Sequence, residues 1–215
     1  MNKKIIYILS GCVGLALAIF LLVFFSIPRI DYNYDKELDC YYVNQTYGNA
    51  KSYTILDEID GKKVLYIDEK AFQDNTKLET IIMGKNIIRI ERLAFNNCQK
   101  LKEIDLSNVI TIERNAFMDC ISLQSVDLSS CIDLMGGAFF DCRILKEVKF
   151  SVIKSIGTYT FTGTAISEII LPESLELIGV DAFDNCNTIT KIKCYSKALI
   201  NDEYLLSLGT LVEFL

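Results

Sequence analysis

The chain has 215 residues, 51% of them apolar, enough for one continuous core. Acidic residues outnumber basic ones 28 to 22, for a net charge of −6, and the basic residues form no patch; this excludes the basic face that nucleic-acid binding needs. Histidine is absent, which removes Ser-His-Asp and Cys-His nucleophile pairs and every histidine-containing metal site.

Met1-Asn-Lys3-Lys4 precedes an uncharged apolar run, Ile5 to Ile27, closed by Pro28-Arg29. At about 1.5 Å per residue, a helix of that length crosses the ~30 Å hydrocarbon layer. Residues 1–28 are therefore read as an uncleaved signal-anchor with one transmembrane helix. Two competing readings stay open. Ala16-Leu-Ala18 has the small residues of a cleavage site, but the apolar run continues past it to Phe25. Leu9-Ser-Gly-Cys12 resembles a bacterial lipoprotein box, although a long apolar run follows the cysteine. Lys3, Lys4 and the amino terminus outweigh Arg29, so the N-terminus is expected in the cytoplasm and the remainder outside.

Residues 29–54 are polar, tyrosine-rich and outside any repeat. The stretch just after Arg29 reads as a short stalk. Tyr41-Tyr-Val43 and Ser52-Tyr-Thr-Ile55, joined across Tyr47-Gly48-Asn49, read as a hairpin that caps the first coil of the repeat region. Asn44-Gln-Thr46 is an acceptor sequon, meaningful only in a eukaryotic, lumenal setting.

Residues 55–194 repeat. Phe72, Phe95, Phe117, Phe139, Phe161 and Phe183 recur at intervals of 23 and then 22 residues, mostly in phrases such as Ala94-Phe-Asn-Asn-Cys98 and Ala116-Phe-Met-Asp-Cys120. Each phrase is followed by a pattern such as Leu101-Lys-Glu-Ile104-Asp-Leu106 or Leu123-Gln-Ser-Val126-Asp-Leu128. Its last apolar pair is spaced by two, the mark of a strand with one buried face. One strand per coil implies a β-rich α/β solenoid of six ~22-residue coils, with parallel strands at roughly 4.8 Å spacing on one face. A second apolar pair, such as Val109 with Ile112, should turn inward on the opposite wall. The coil from Leu145 to Ile166 is one residue short, and the next, through Pro172, regains it. Phe keeps its phase throughout, as expected if each ring fills a fixed core pocket.

Coils reading Ala-Phe-x-x-Cys-x-x-Leu-x-x-Ile-x-Leu, then an apolar pair and Ile-Gly or Ile-Glu, resemble the BspA-like (Treponema pallidum type) leucine-rich repeats. Ile55-Leu-Asp-Glu-Ile59-Asp-Gly61-Lys-Lys-Val64-Leu-Tyr-Ile67 looks like that family's opening half-coil. The resemblance implies a right-handed leucine-rich-repeat spiral on a surface protein, acting in adhesion or protein binding and not in catalysis. Residues 195–215 leave the repeat. A short helix stopped by Gly209 and a last strand over Thr210–Leu215 should cover the final coil.

Three columns bear on chemistry. Cys98, Cys120, Cys142 and Cys186 align, with Asn75 and Thr164 at the equivalent places; stacked coils put sulfurs in a line, not a tetrahedron, so this is read as a ladder of buried thiols and not a metal site. An inter-coil disulfide is sterically possible. Asp74, Asn97, Asp119, Asp141 and Asn185 could suggest a cation ladder, but short polar residues at a tight turn serve the backbone. The outward strand residues are the binding candidates: Ile82, Asp105, Asp127, Lys149, Ile170 and Lys193. No cofactor or metal is expected. The expected partner is a protein or glycoconjugate at the cell surface. A structural role in a membrane assembly is one alternative. The other is a hydrolase using paired carboxylates such as Asp105 and Asp127, for which a flat strand face offers no cleft.

Overall fold

A computed structural model describes residues 28–215. The expected anchor, the Cys12 box and the Ala16-Leu-Ala18 site lie outside the described residues. Among the described residues, no helix is long and apolar enough to cross a membrane.

The chain from Arg29 onward winds into a solenoid with two hydrogen-bonded walls. One wall is a continuous ladder running through Arg29–Asp35, Cys40–Tyr47, Lys62–Ile67, Arg89–Ile90, Thr111–Ile112, Asp133–Leu134, Ser155–Ile156 and Leu177–Ile178. From Cys40–Tyr47 onward its neighbours pair in parallel, and Ile67, Ile90, Ile112, Leu134, Ile156 and Ile178 stand in one buried column. The second wall carries Ser52–Thr54, Thr80–Ile82, Glu103, Ser125–Leu128, Glu147–Phe150, Glu168–Leu171, Lys191–Cys194 and Val212–Phe214. That makes eight levels, not six, because the non-repeating ends each build one more turn.

The relative continuity of the walls reverses the expectation. The apolar pairs assigned to an opposite wall form the unbroken ladder. The Leu-x-x-Ile-x-Leu strands fall into separate pieces: Ser52–Thr54 with Thr80–Ile82, Ser125–Leu128 with Glu147–Phe150, and Glu168–Leu171 with Lys191–Cys194 and Val212–Phe214. The break after Phe150 coincides with the coil that lacks a residue. The break between Glu103 and Ser125 has no counterpart in coil length.

The phenylalanines form the axis of the core. All six are buried, and successive rings stack nearly parallel with centroids 4.8, 5.1, 5.2, 5.8 and 5.7 Å apart. Beside them each column thiol donates to the phenylalanine carbonyl of the preceding coil: Cys98 to Phe72 (3.2 Å), Cys120 to Phe95 (3.2 Å), Cys142 to Phe117 (3.1 Å) and Cys186 to Phe161 (3.0 Å). The column therefore satisfies backbone oxygens inside the core. The seven described cysteines are all free and buried.

The turn around each phenylalanine explains the Asp/Asn column. Asp74, Asn97, Asp119, Asp141, Gly163 and Asn185 all have positive φ, between 53° and 74°. Asn, Asp and Gly tolerate that left-handed conformation best. A second left-handed column, two residues before each ring, holds Lys70, Leu93, Asn115, Gly137, Tyr159 and Asp181. Between the two columns the coils are joined by a third row of hydrogen bonds. The amides of Leu93, Phe95 and Asn97 donate forward to the carbonyls of Arg114, Ala116 and Met118 at 3.1, 2.8 and 2.8 Å, and neighbouring coils repeat the pattern.

Both ends are covered, the first differently from expectation. The hairpin is Arg29–Asp35 paired antiparallel with Cys40–Tyr47, so the stretch expected as a stalk is the edge strand of the long ladder. Tyr41–Val43 and Ser52–Thr54 do not pair; they sit on opposite walls of the first turn. Composition misleads here because both segments have strand character, while their real partners lie more than twenty residues downstream. The Asp60-Gly61 turn, with φ of 51° and 74°, closes a small antiparallel hairpin between Glu58–Ile59 and Lys62–Lys63. At the other end a five-residue helix, Glu203–Ser207, is capped by the Asp202 carboxylate, which accepts from the Leu205 amide. Gly209 follows at φ 60°, and Val212–Phe214 joins Lys191–Cys194 in parallel.

Candidate binding face

Alternation along the second wall decides which side chains face outward. At each level the central apolar residue (Ile81, Ile104, Val126, Val148, Ile169 or Ile192) turns into the core or packs against it, and its two neighbours turn away. The six candidate residues therefore share one face. Ile82 and Ile170 are its exposed apolar members, 66% and 56% accessible. Asp105 and Lys149 are exposed, whereas Asp127 and Lys193 are partly covered.

The charges on this face are more engaged than their identities alone suggest. Lys149 lies opposite Asp127 in register, and its ammonium is 3.1 Å from the Asp127 carboxylate. Lys191 pairs with Glu213 of the last strand at 2.5 Å, and that contact raises its pKa. Lys193 sits in register with Ile170 on one side and Glu213 on the other. Part of the charge on this face is thus closed by cross-strand pairs. Exposed pairs of this kind contribute about 1 kcal/mol or less.

Asp105 and Asp127 also have backbone roles. The Asp105 carboxylate accepts from the Ser107 amide at 3.0 Å and its hydroxyl at 2.6 Å. Asp127 accepts from the Ser129 amide at 2.9 Å and from its hydroxyl. Both tie down the turn that leaves this wall, after a strand at Asp127 and after the single Glu103 bridge at Asp105. The Ser129 hydroxyl foremost, with Lys149 contributing, lowers the pKa of Asp127.

The face is longer than the sequence indicated. Ser52–Thr54 extends it by one level ahead of Ile82, and Glu213 adds one after Lys193. Neither belongs to a recognisable repeat, so only three-dimensional pairing reveals them. Among the described residues no cluster of three or more Cys, Asp or Glu side chains could hold a metal ion. Burial pushes the Cys98 thiol up to about 12 and also raises those of Cys120 and Cys142, which favours the protonated thiols.

Comparison with known proteins places the fold. The chain resembles the Treponema pallidum leucine-rich repeat protein TpLRR (21% identity, 76% of this chain and 68% of that one, TM-score 0.54). It also resembles a leucine-rich cell surface protein from Faecalibacterium prausnitzii (22% identity, 80% and 55%, TM-score 0.57) and the pneumococcal vaccine antigen PcpA (18% identity, 80% and 49%, TM-score 0.62). The chain spans about half the length of the last two. No curated protein sequence matches it. Six copies of the BspA type leucine rich repeat model match residues 65–190, more than half of the chain, and on that ground it belongs to the BspA-type leucine-rich repeat family.

Proposed function

We infer that this is a single-pass, membrane-anchored surface protein that captures a protein or glycoconjugate partner, without catalysis, through its outward strand face. The observation that carries this reading is the exposure of Ile82 and Ile170 on a strand face otherwise made of charged and polar side chains. Isolated large apolar groups on a rigid, extended ribbon suit a broad macromolecular partner, and solenoids offer such surfaces. Anchoring rests on the apolar run Ile5–Ile27 and on Lys3 and Lys4, which favour a cytoplasmic N-terminus and an external repeat domain. One structural relative is itself described as a cell surface protein, which agrees with that placement.

The test is capture of candidate surface proteins and glycans by the full chain and by two variants. Combined replacement of Asp105, Asp127 and Lys149 by Ala reports on the charged centre, and replacement of Ile82 and Ile170 by Ser reports on the apolar ends. Circular dichroism checks that both remain folded. Loss of capture in either variant supports the strand face; undiminished capture by both sinks it.

A further inference from the structure

The turn edge of the solenoid carries a notch. Two residues before each ring, and at the position preceding that, successive coils carry Arg114-Asn115, Gly136-Gly137 and Thr158-Tyr159. The glycine pair leaves a notch between the coils on either side, floored by Met118 and Phe140. The flanking coils are two stacking steps apart, 5.2 and 5.8 Å along the phenylalanine column, so the opening is one coil wide. Gly137 has φ 68°, and the Asn115 amide oxygen lies where its Cβ would be, so Asn115 reaches over the gap only because that carbon is absent.

The rim is rich in hydrogen-bonding groups that the fold leaves available. Arg89, Arg92 and Arg143 are each held by a carboxylate, Glu91, Glu69 and Asp141 respectively. Arg114 is exposed and has no such acidic partner among the described residues. Tyr159 is an exposed residue, 46% accessible, in the left-handed column at φ 57°.

We propose that this notch binds one neutral hexopyranose unit of a glycan, the sugar's C–H face lying on the Tyr159 and Phe140 rings and its hydroxyls meeting Arg114, Asn115 and Thr158. A few placed polar groups over an apolar floor are the usual composition of a small-ligand site. An open notch one coil wide fits a single ring better than a folded partner. Charge separates neutral from acidic sugars. Asp119 and Asp141 directly follow the floor residues in sequence without lining the notch, and the chain carries a net −6 against the one cation of the lining, Arg114. A further negative charge would be repelled there. The site is separate from the strand face, so its failure leaves that reading untouched.

The experiment uses the full chain labelled with 13C at its methionine methyls, in a detergent without a sugar headgroup. Met118 reports on the notch, and Met83, packed against the core beyond the Thr80–Ile82 strand, serves as internal control. Methyl glucoside, methyl galactoside, methyl mannoside, N-acetylglucosamine, N-acetylneuraminic acid and acetate are titrated in turn. The expected result is a saturable shift of Met118, but not Met83, with at least one neutral sugar. Tyr159→Asn, which suits the left-handed backbone, and Arg114→Ala should each weaken that binding about tenfold or more. The proposal is overturned if no neutral sugar shifts Met118, if only N-acetylneuraminic acid or acetate does, or if both variants bind as the unmodified protein does.

Discussion

Removing one ring from the middle of the phenylalanine column tests the solenoid core quantitatively. Phe117 is fully buried and stacks on Phe95 at 5.1 Å and Phe139 at 5.2 Å, with interplanar angles of 4° on both sides. Phe117→Ala withdraws roughly 150 Å² of apolar surface from the core, worth about 4 kcal/mol at ~25 cal/mol per Å². Two lost stacking contacts add about 0.5–1.5 kcal/mol each, which places the variant at or above the upper end of the ~3–5 kcal/mol seen for such truncations. With a urea slope of roughly 3 kcal/mol per M for a chain of this size, the unfolding midpoint should fall by over ~1 M. Phe183→Ala removes a ring with one stacked neighbour among those described and should cost about 1 kcal/mol less. Urea titration followed by circular dichroism measures both. If Phe117→Ala lowers the midpoint no more than truncation of the exposed Ile82, the column does not hold the core together and the reasoning fails.

Three further outcomes are expected. In the folded protein Cys98, Cys120 and Cys142 should resist iodoacetamide near neutral pH and react fully in urea; mass spectrometry finding a labelled column thiol without denaturant would contradict their burial. Lys70, exposed at φ 62°, should be improved by Lys70→Asn, which relieves left-handed strain and raises stability by about 1 kcal/mol, read as a higher urea midpoint. Asp119 is held above the usual carboxylate range in the fold, so its contribution is greatest below its unfolded pKa and is lost as pH rises through the folded value. Asp119→Asn should therefore be stabilising at neutral pH, with the advantage shrinking toward acid; a gain that persists unchanged in acid would assign it to backbone conformation alone.

Much of this architecture is legible in the chain because one residue type sits at one depth in every coil. The phenylalanine spacing gives coil length, phase and core axis together, and the apolar pairs around it give two inward-facing walls. The cysteine column is also readable as buried. Its hydrogen bonds to the preceding phenylalanine carbonyls are not, since they depend on how far one coil sits above another. Sequence periodicity cannot rank the two walls, because hydrogen-bond continuity depends on angles between coils; hence the unbroken ladder lies opposite the expected one. The misassigned hairpin has a similar origin. Cys40–Tyr47 and Ser52–Thr54 have no repeat to fix their partners, and adjacency in sequence points to each other instead of Lys62–Ile67 and Thr80–Ile82. On the binding face, alternation identifies the outward side chains, but not that Asp105 and Asp127 are tied by Ser107 and Ser129 into the turns that follow. The notch at Gly136-Gly137 is visible as a loss of side chains in a column, though only against the left-handed geometry that defines the column.

The row of forward-pointing amides gives the molecule an electrical polarity. In each coil the peptide groups at 92–93, 94–95 and 96–97, and their equivalents, aim their carbonyls toward the N-terminal end and their amides toward the C-terminal end. Aligned peptide groups add as they do in a helix, so the stack behaves as a macrodipole whose positive pole is the last coil. Both poles are tended. Thr46 supplies its amide and hydroxyl to the Ala71 carbonyl at the negative pole, at 3.0 and 2.9 Å, and the Tyr204 hydroxyl accepts from the Phe183 amide at the positive one, at 2.8 Å. Asp181 and Asp184, also in that last coil, bring negative charge to the pole that favours it. The terminal turns thus do more than hide apolar surface: they terminate a field that each added coil would lengthen.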